Sequence, residues 1–281
     1  LMSYSIIKSH AKINLALNVI GKSKFLHKIE SVVSFLELHD EIKIKKIELK
    51  NHKIKFKGKF SRGIKPNNTV SHLMDLFEKR KLLKNKYEIM IKKNIPSKSG
   101  LGGGSMNAAS VLNFFLRKKL IKLKKEEALE ICKLIGSDVI LGLYSKNLIL
   151  NKNNQIKILL SKNKFYVLVV KPSFDCSTKK IFSKVKNFSK PEFNLIPEDI
   201  FTTDFLKKRK NDLETIVVQE YPKFKNLKNF LENLSNTEFV RMTGSGSAII
   251  AYFHSVKLCK EAEKKVKKQF RNYWCKTSKT I

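Results

Sequence analysis

The chain has 281 residues, 42% of them hydrophobic, and carries 58 Lys and Arg against 24 Asp and Glu, a formal net charge of +34. Such length and apolar content exclude a disordered or fibrous chain and suffice for one large or two moderate domains. No apolar run approaches the ~20 residues that span a bilayer, and the start lacks a basic segment leading into an apolar one, so neither a membrane helix nor a secretory leader is expected.

The charge is spread rather than clustered. In Ile42-Lys-Ile-Lys45 and Ile54-Lys-Phe-Lys57 lysines alternate with apolar residues, as on a half-buried strand with one solvated face. The excess therefore reads as a general field that attracts anionic small-molecule substrates, and no nucleic acid is expected as a partner. Cys132, Cys176, Cys259 and Cys275 show no C-x-x-C spacing, which fits unreactive thiols in a reducing cytoplasm. The six histidines lack metal-ligand spacing.

Along the chain, a strand is expected around Ile6–Val19. In His10-Ala-Lys-Ile-Asn-Leu-Ala-Leu-Asn18 the alternation puts Ala11, Ile13, Leu15 and Leu17 on one face and Lys12, Asn14, Ala16 and Asn18 on the other. An ammonium beside an amide suits an anionic substrate; a solvated face on a lysine-rich protein is the alternative. His27 stands alone. A helical pattern over Val70–Lys81 precedes a short strand, Tyr87-Glu-Ile-Met-Ile91, with Tyr87, Ile89 and Ile91 on one face.

There follows Pro96-Ser-Lys-Ser-Gly-Leu-Gly-Gly-Gly-Ser-Met106, with four glycines in five positions. Ala108, Val111, Leu112, Phe115 and Leu116 then repeat at helical spacing, with Ser105 as the expected N-cap. Glycines let backbone N–H groups approach a ligand, and a helix start adds the positive end of its dipole, so an anion, above all a phosphate, is the expected occupant. The loop is neither a Walker A motif, lacking Gly-Lys-Ser/Thr, nor a dinucleotide motif, having Ser105 at the last glycine position.

Ala128, Ile131, Cys132 and Ile135 form another helical stripe, stopped by Gly136. Asp138, just before an apolar run, reads equally as a helix cap or as a carboxylate that takes a hydroxyl proton or holds a metal ion. Asn147–Lys164 is polar and marks the expected domain junction. Beyond it, Phe165–Val170 reads as a buried strand, 183–212 as irregular, and Leu227–Leu234 as helical. Phe239–Thr243 and Ala248–Phe253 read as strands around the turn Gly244-Ser-Gly246, and Val256–Phe270 as a closing basic amphipathic helix.

Jointly, these segments resemble the GHMP kinase superfamily, the group of galactokinase, homoserine kinase and mevalonate kinase. The resemblance lies in a lysine-bearing strand near the start, Pro-x-x-x-Gly-Leu-Gly-x-x-Ser at 96–105, and Gly-x-Gly at 244–246. The segments Ala11-Lys-Ile-Asn-Leu15, Gly100-Leu-Gly-Gly-Gly-Ser-Met-Asn-Ala-Ala109, Gly136-Ser-Asp-Val139 and Arg241-Met-Thr-Gly-Ser-Gly246 bring it nearest one branch. Those members phosphorylate the 2-hydroxyl of a cytidyl diphosphate-linked methylerythritol in non-mevalonate isoprenoid synthesis.

The resemblance implies an α+β, two-lobed fold, with a ribosomal-protein-S5-like ATP-binding lobe over 1–155 and a ferredoxin-like lobe over 156–281. It implies ATP and Mg²⁺ as cofactors, a small-molecule substrate, and a monomer or weak homodimer. Lys12 and Asp138 would be the catalytic pair. Pro96, Ser97, Lys98, Ser99, Gly100, Leu101, Gly102, Gly103, Gly104, Ser105 and Met106 would hold the ATP phosphates, with Ser105 also toward Mg²⁺. Asn14, His27, Thr178, Phe182 and Gly244 would contact substrate. The chain departs from the family pattern at Leu26, where Tyr is usual beside His27, leaving Phe25 as the nearby aromatic. It departs also at Met106, at Ile140 and in Asn151-Lys-Asn-Asn154. Another small-molecule kinase of the superfamily, homoserine- or mevalonate-kinase-like, is the near alternative, and a non-enzymatic polyanion- or RNA-binding protein the distant one.

Overall fold

The computed structural model describes residues 3–24, 26–161, 163–193 and 200–281. Two compact units interleave along the chain: residues 1–12, 38–97 and 102–145 form one, and 13–37, 98–101 and 146–281 the other. A composition shift places a single junction near 155, because composition is read linearly and does not register that one long strand contributes to two units. Here β1 (Ser5–Lys22) and β2 (His27–Ile47) both do so.

In the first unit, β3 (Lys53–Lys57) pairs parallel with β4 (Lys86–Lys92), and β4 pairs antiparallel with the second half of β2, from Glu41 opposite Lys92 to Ile47 opposite Lys86. Four helices pack here: α1 (Thr69–Lys79), α2 (Gly103–Arg117), α3 (Lys125–Ile135) and α4 (Val139–Tyr144). Asn68 starts α1 through a capping box: its side-chain oxygen accepts the Val70 and Ser71 N–H groups at 3.0 and 3.1 Å. The periodicities hold. Ile42, Ile44, Val70, Leu73, Phe77, Tyr87, Ile89, Ile91, Ala108, Val111, Leu112 and Phe115 form one buried core, in which Phe115 meets Tyr87 edge-on at 4.8 Å. The N-cap of α2 is not Ser105 but Gly102, in the left-handed region at φ 68°, and Ser105 is the third residue of the helix. The Gly136 N–H donates to the Cys132 carbonyl and closes α3.

In the second unit, β5 (Leu148–Leu150) pairs antiparallel with Ser31–Val33 of β2 and with β6 (Ile156–Ile158). A separate four-stranded antiparallel sheet has the order β10-β7-β9-β8, built from β7 (Tyr166–Lys171), β8 (Phe239–Met242), β9 (Ile249–Phe253) and β10 (Trp274–Lys279). The helices are α5 (Thr178–Ser183), α6 (Thr203–Lys207), α7 (Asp212–Glu220), α8 (Pro222–Glu232) and α9 (Val256–Gln269). Leu168, Val170, Val240, Met242, Ile249 and Ala251 pack with Leu213, Val217, Phe224, Leu227, Cys259 and Val266 in its core. Helix α6 lies where irregular structure was expected. Strand β10 follows α9, which was expected to close the chain; its polar sequence hides a strand that pairs with β7 along its whole length.

Among the described residues no helix is long and apolar enough to cross a membrane. The four cysteines are unbridged and buried, and burial pushes Cys132 and Cys259 up to about 12 and Cys176 up to about 11. None of these three is a thiolate at neutral pH.

One ionic cluster belongs to the first unit. The Tyr4 hydroxyl donates to Glu88 at 2.6 Å, and Lys55 and Lys45 lie 2.9 and 3.4 Å from it. These partners, Tyr4 foremost, hold the Glu88 carboxyl down at about 2. A depressed carboxylate contributes stability above its unfolded value and loses it as pH falls toward the folded one. Thermal unfolding of the wild type is therefore expected to shift downward between about pH 4.5 and 2, and Glu88→Gln to make that dependence shallower; Tm measured against pH for both proteins checks it.

Candidate active site

Lys12 lies in β1 and is 3% exposed, which sets aside the solvated-face reading. Its ammonium is 3.2 Å from a carboxylate oxygen of Asp138. Asp138 occupies the N-cap position of α4 yet makes no side-chain capping bond; its carboxylate serves Lys12 instead. Two glycines make this possible. A Cβ on Gly102 would stand 2.8 Å from the Lys12 Cγ, so the lysine stem passes where any other side chain would be. A Cβ on Gly142 would stand 2.6 Å from the Ala109 Cβ and 3.0 Å from the Met106 sulfur, so α4 lies hard against α2 and brings Asp138 with it. No side chain caps α2. The N–H groups of Gly103, Gly104 and Ser105 open its first turn, as suits an anion. Pro96 and Met106 are buried in the same unit, and Ser97 is exposed.

The stretch 98–101 belongs to the second unit, where the Thr243–Ser247 turn fixes it. The Ala248 N–H donates to the Ser99 carbonyl at 3.0 Å, and the Thr243 hydroxyl to the Gly100 carbonyl at 3.3 Å. A Cβ on Gly100, at φ 77°, would lie 2.0 Å from the Thr243 carbonyl oxygen, so only glycine fits. The Leu101 N–H meets the Ser99 hydroxyl at 3.4 Å. Lys98, at φ 50°, projects into solvent and lies 3.3 Å from Asp175.

Asn14, read as a substrate contact, clamps this turn. Its backbone N–H donates to the Thr243 hydroxyl at 3.1 Å, and its side-chain oxygen accepts the Gly244 N–H at 3.0 Å. Its amide nitrogen donates to Ser31 at 2.8 Å. Gly244 also accepts from Asn211, which binds the Met242 and Gly244 carbonyls at 2.9 and 2.8 Å. Sequence reasoning missed Asn211, because an Asn before a helix signals no more than a cap.

The remaining positions come together in two pairs. The Thr178 hydroxyl is 2.8 Å from that of Ser245. The rings of His27 and Phe182 lie 5.1 Å apart at 37°. Desolvation, then the Lys22 charge, holds the His27 imidazole below its ordinary value. Leu26 is 69% exposed, and Phe25 lies outside the described residues.

The family profile of the GHMP kinases N terminal domain matches residues 68–146. A 4-diphosphocytidyl-2-C-methyl-D-erythritol kinase of Pelagibacter ubique is 54% identical over 276 residues, 98% of this chain and 98% of its own. That of Persephonella marina is 32% identical over 260 residues, 88% of this chain and 90% of its own. A crystal structure of 4-(cytidine 5'-diphospho)-2C-methyl-D-erythritol kinase shares the fold, with TM-score 0.77 at 20% identity over 98% of this chain and 99% of that one.

The α2–α4 contact leaves no room for a methyl group. Gly142→Ala is expected to destabilise the protein by about 1–3 kcal/mol through overpacking, although alanine has the better helix propensity. Denaturant unfolding of the variant beside the wild type checks the sign.

Proposed function

The chain belongs to the 4-diphosphocytidyl-2-C-methyl-D-erythritol kinases of the GHMP superfamily, and on that premise we propose that it transfers the γ-phosphoryl group of ATP to the 2-hydroxyl of 4-diphosphocytidyl-2-C-methyl-D-erythritol. The observation that carries the assignment of residues is the Lys12–Asp138 pair, 3.2 Å apart, with Lys12 packed over Gly102 at the start of α2.

Asp138 accepts the proton of the 2-hydroxyl as its oxygen attacks the γ-phosphorus and ADP departs. Lys12 orients the carboxylate and adds positive charge where the transferred group passes. Residues 96–106 hold the nucleotide phosphates through backbone N–H groups and the dipole of α2. Phosphoryl transfer depends on such positioning and charge stabilisation more than on covalent help. Among the described residues no three His, Cys, Asp or Glu side chains cluster as a metal cage. The Ser105 hydroxyl, on the third residue of α2, is an oxygen donor of the kind Mg²⁺ takes and would meet an ion brought in on the nucleotide. Bound there, Mg²⁺ neutralises phosphate charge.

On the substrate side, the inclined rings of His27 and Phe182 offer the cytosine ring aromatic contact in place of the aromatic usual at Leu26. Thr178 lines the same side, and Asn14 and Gly244 shape it through the turn they share.

In a coupled ADP-release assay with MgATP, turnover is expected only when the cytidyl substrate is present. Lys12→Met and Asp138→Asn are each expected to lower kcat by about 10²-fold or more while the protein stays folded. Turnover with homoserine or mevalonate instead would point to another member of the superfamily.

Because its folded value is lowered, His27 gains its proton only below the ordinary imidazole value of about 6.5. The KM for the cytidyl substrate is expected to be level above that pH and to rise below it. In His27→Gln the rise should vanish, which KM measured from pH 5 to 8 on both proteins checks.

A further inference from the structure

Behind the start of α2 lies a buried ion pair that the proposed reaction does not use. Asp40, in β2, is fully buried, and its carboxylate pairs with the ammonium of Lys93, itself 4% exposed, one residue past the end of β4. The other oxygen of Asp40 accepts two backbone N–H groups, from Asn94 at 2.7 Å and Ile95 at 2.9 Å. The Asn94 side chain adds a bond to the His39 carbonyl at 2.9 Å. One carboxylate thus binds three consecutive residues, 93 to 95, and the next residue is Pro96, where the glycine loop begins.

The same groups reach the far end of that loop. A Cβ on Gly103 would lie 3.1 Å from the Ile95 Cγ2 and 3.2 Å from the Lys93 ammonium. The chain entering the loop and the first residue of α2 are therefore packed against each other, with the ammonium between them.

A pair of this kind is poor value as core filling. Each buried ion costs several kcal/mol in desolvation, and apolar residues of similar volume are often as stable or more so. An ammonium near a helix N-terminus is also opposed by the helix dipole, which Asp40 must offset. What the pair supplies is direction, since a carboxylate with three donors has one orientation and an apolar side chain has several.

We propose that Asp40 is a positioning residue for ATP. It sets the path of residues 93–95 into the loop and holds Lys93 behind Gly103, so that the N–H groups opening α2 keep their aim. This rests on reading residues 96–106 as the phosphate loop.

The test uses two variants of the full chain. Asp40→Leu combined with Lys93→Met removes both charges and every bond to the Asn94 and Ile95 amides. Asp40→Glu keeps the charge but moves the acceptor by one methylene. Each is expected to raise the KM for MgATP by about tenfold or more, the equivalent of about one lost charge-assisted hydrogen bond. The KM for the cytidyl substrate should stay within about twofold and Tm within a few degrees, a split that a merely structural role would not produce. A wild-type KM for MgATP in the double variant overturns the proposal. So does a loss that moves kcat and both KM values together with the folded fraction. Should the double variant fail to fold, Asp40→Glu decides by the same criteria. Calorimetry of MgATP on the wild type separates the premises. No binding there sinks the phosphate-loop reading itself, whereas binding with unaffected variants sinks only the role of Asp40.

Discussion

Holding an ammonium out of water in one place requires a counter-charge and room for a long stem, and in the first unit the packing around Lys12 meets both needs. The stem runs over Gly102, and the head meets Asp138. Asp138 is there because Gly142 lets α4 sit against Ala109 and Met106 of α2. Any side chain at Gly102 would displace the lysine, and one at Gly142 would displace its partner. Close packing turns each of these positions into a condition on the other, since interiors lack the slack to absorb even a methyl group.

The second unit solves a related problem with hydrogen bonds. Backbone at Gly100 and Thr243 approaches too closely for a Cβ, and such irregular chain must still satisfy its polar groups. Asn14 and Asn211 do this through bonds to neighbouring backbone and hydroxyl groups. The two amides replace the ladder that a regular strand would have supplied. Their value lies in holding short turns of small residues, which have few side-chain contacts of their own, in one conformation.

The periodic elements were legible before the structure. Tyr87, Ile89 and Ile91, and Ala108, Val111, Leu112 and Phe115, face the core as their spacing requires. The glycine-rich run was legible as a loop of unusual backbone running into a helix, since glycine costs too much backbone entropy to recur in an ordinary turn. Boundaries and exceptions were less so. Ser105 has the composition of a cap, but Gly102 reaches the left-handed conformation that starts the helix one turn earlier. Strand β10 carries one buried residue, Cys275, and owes its form to β7 beside it rather than to its own pattern. The junction expected near 155 is a linear boundary, whereas the compact units interleave because β1 and β2 each contribute to both.

By itself, the sequence determined the α+β class, the helix and strand faces, the glycine-rich loop that opens a helix and, through its motifs, the kinase family. These are local properties: periods of two and 3.6 residues, and the backbone freedom of glycine, act over a few neighbours. It left open whether Lys12 faced water, whether Asp138 capped a helix, and which groups Asn14 and Asp40 would meet. Tertiary structure decided those points, because burial, counter-charge and hydrogen-bond partners come from residues tens to hundreds of positions away. Asp138 caps a helix or pairs with an ammonium according to what stands opposite it, and Lys12 stands 126 positions earlier in the chain.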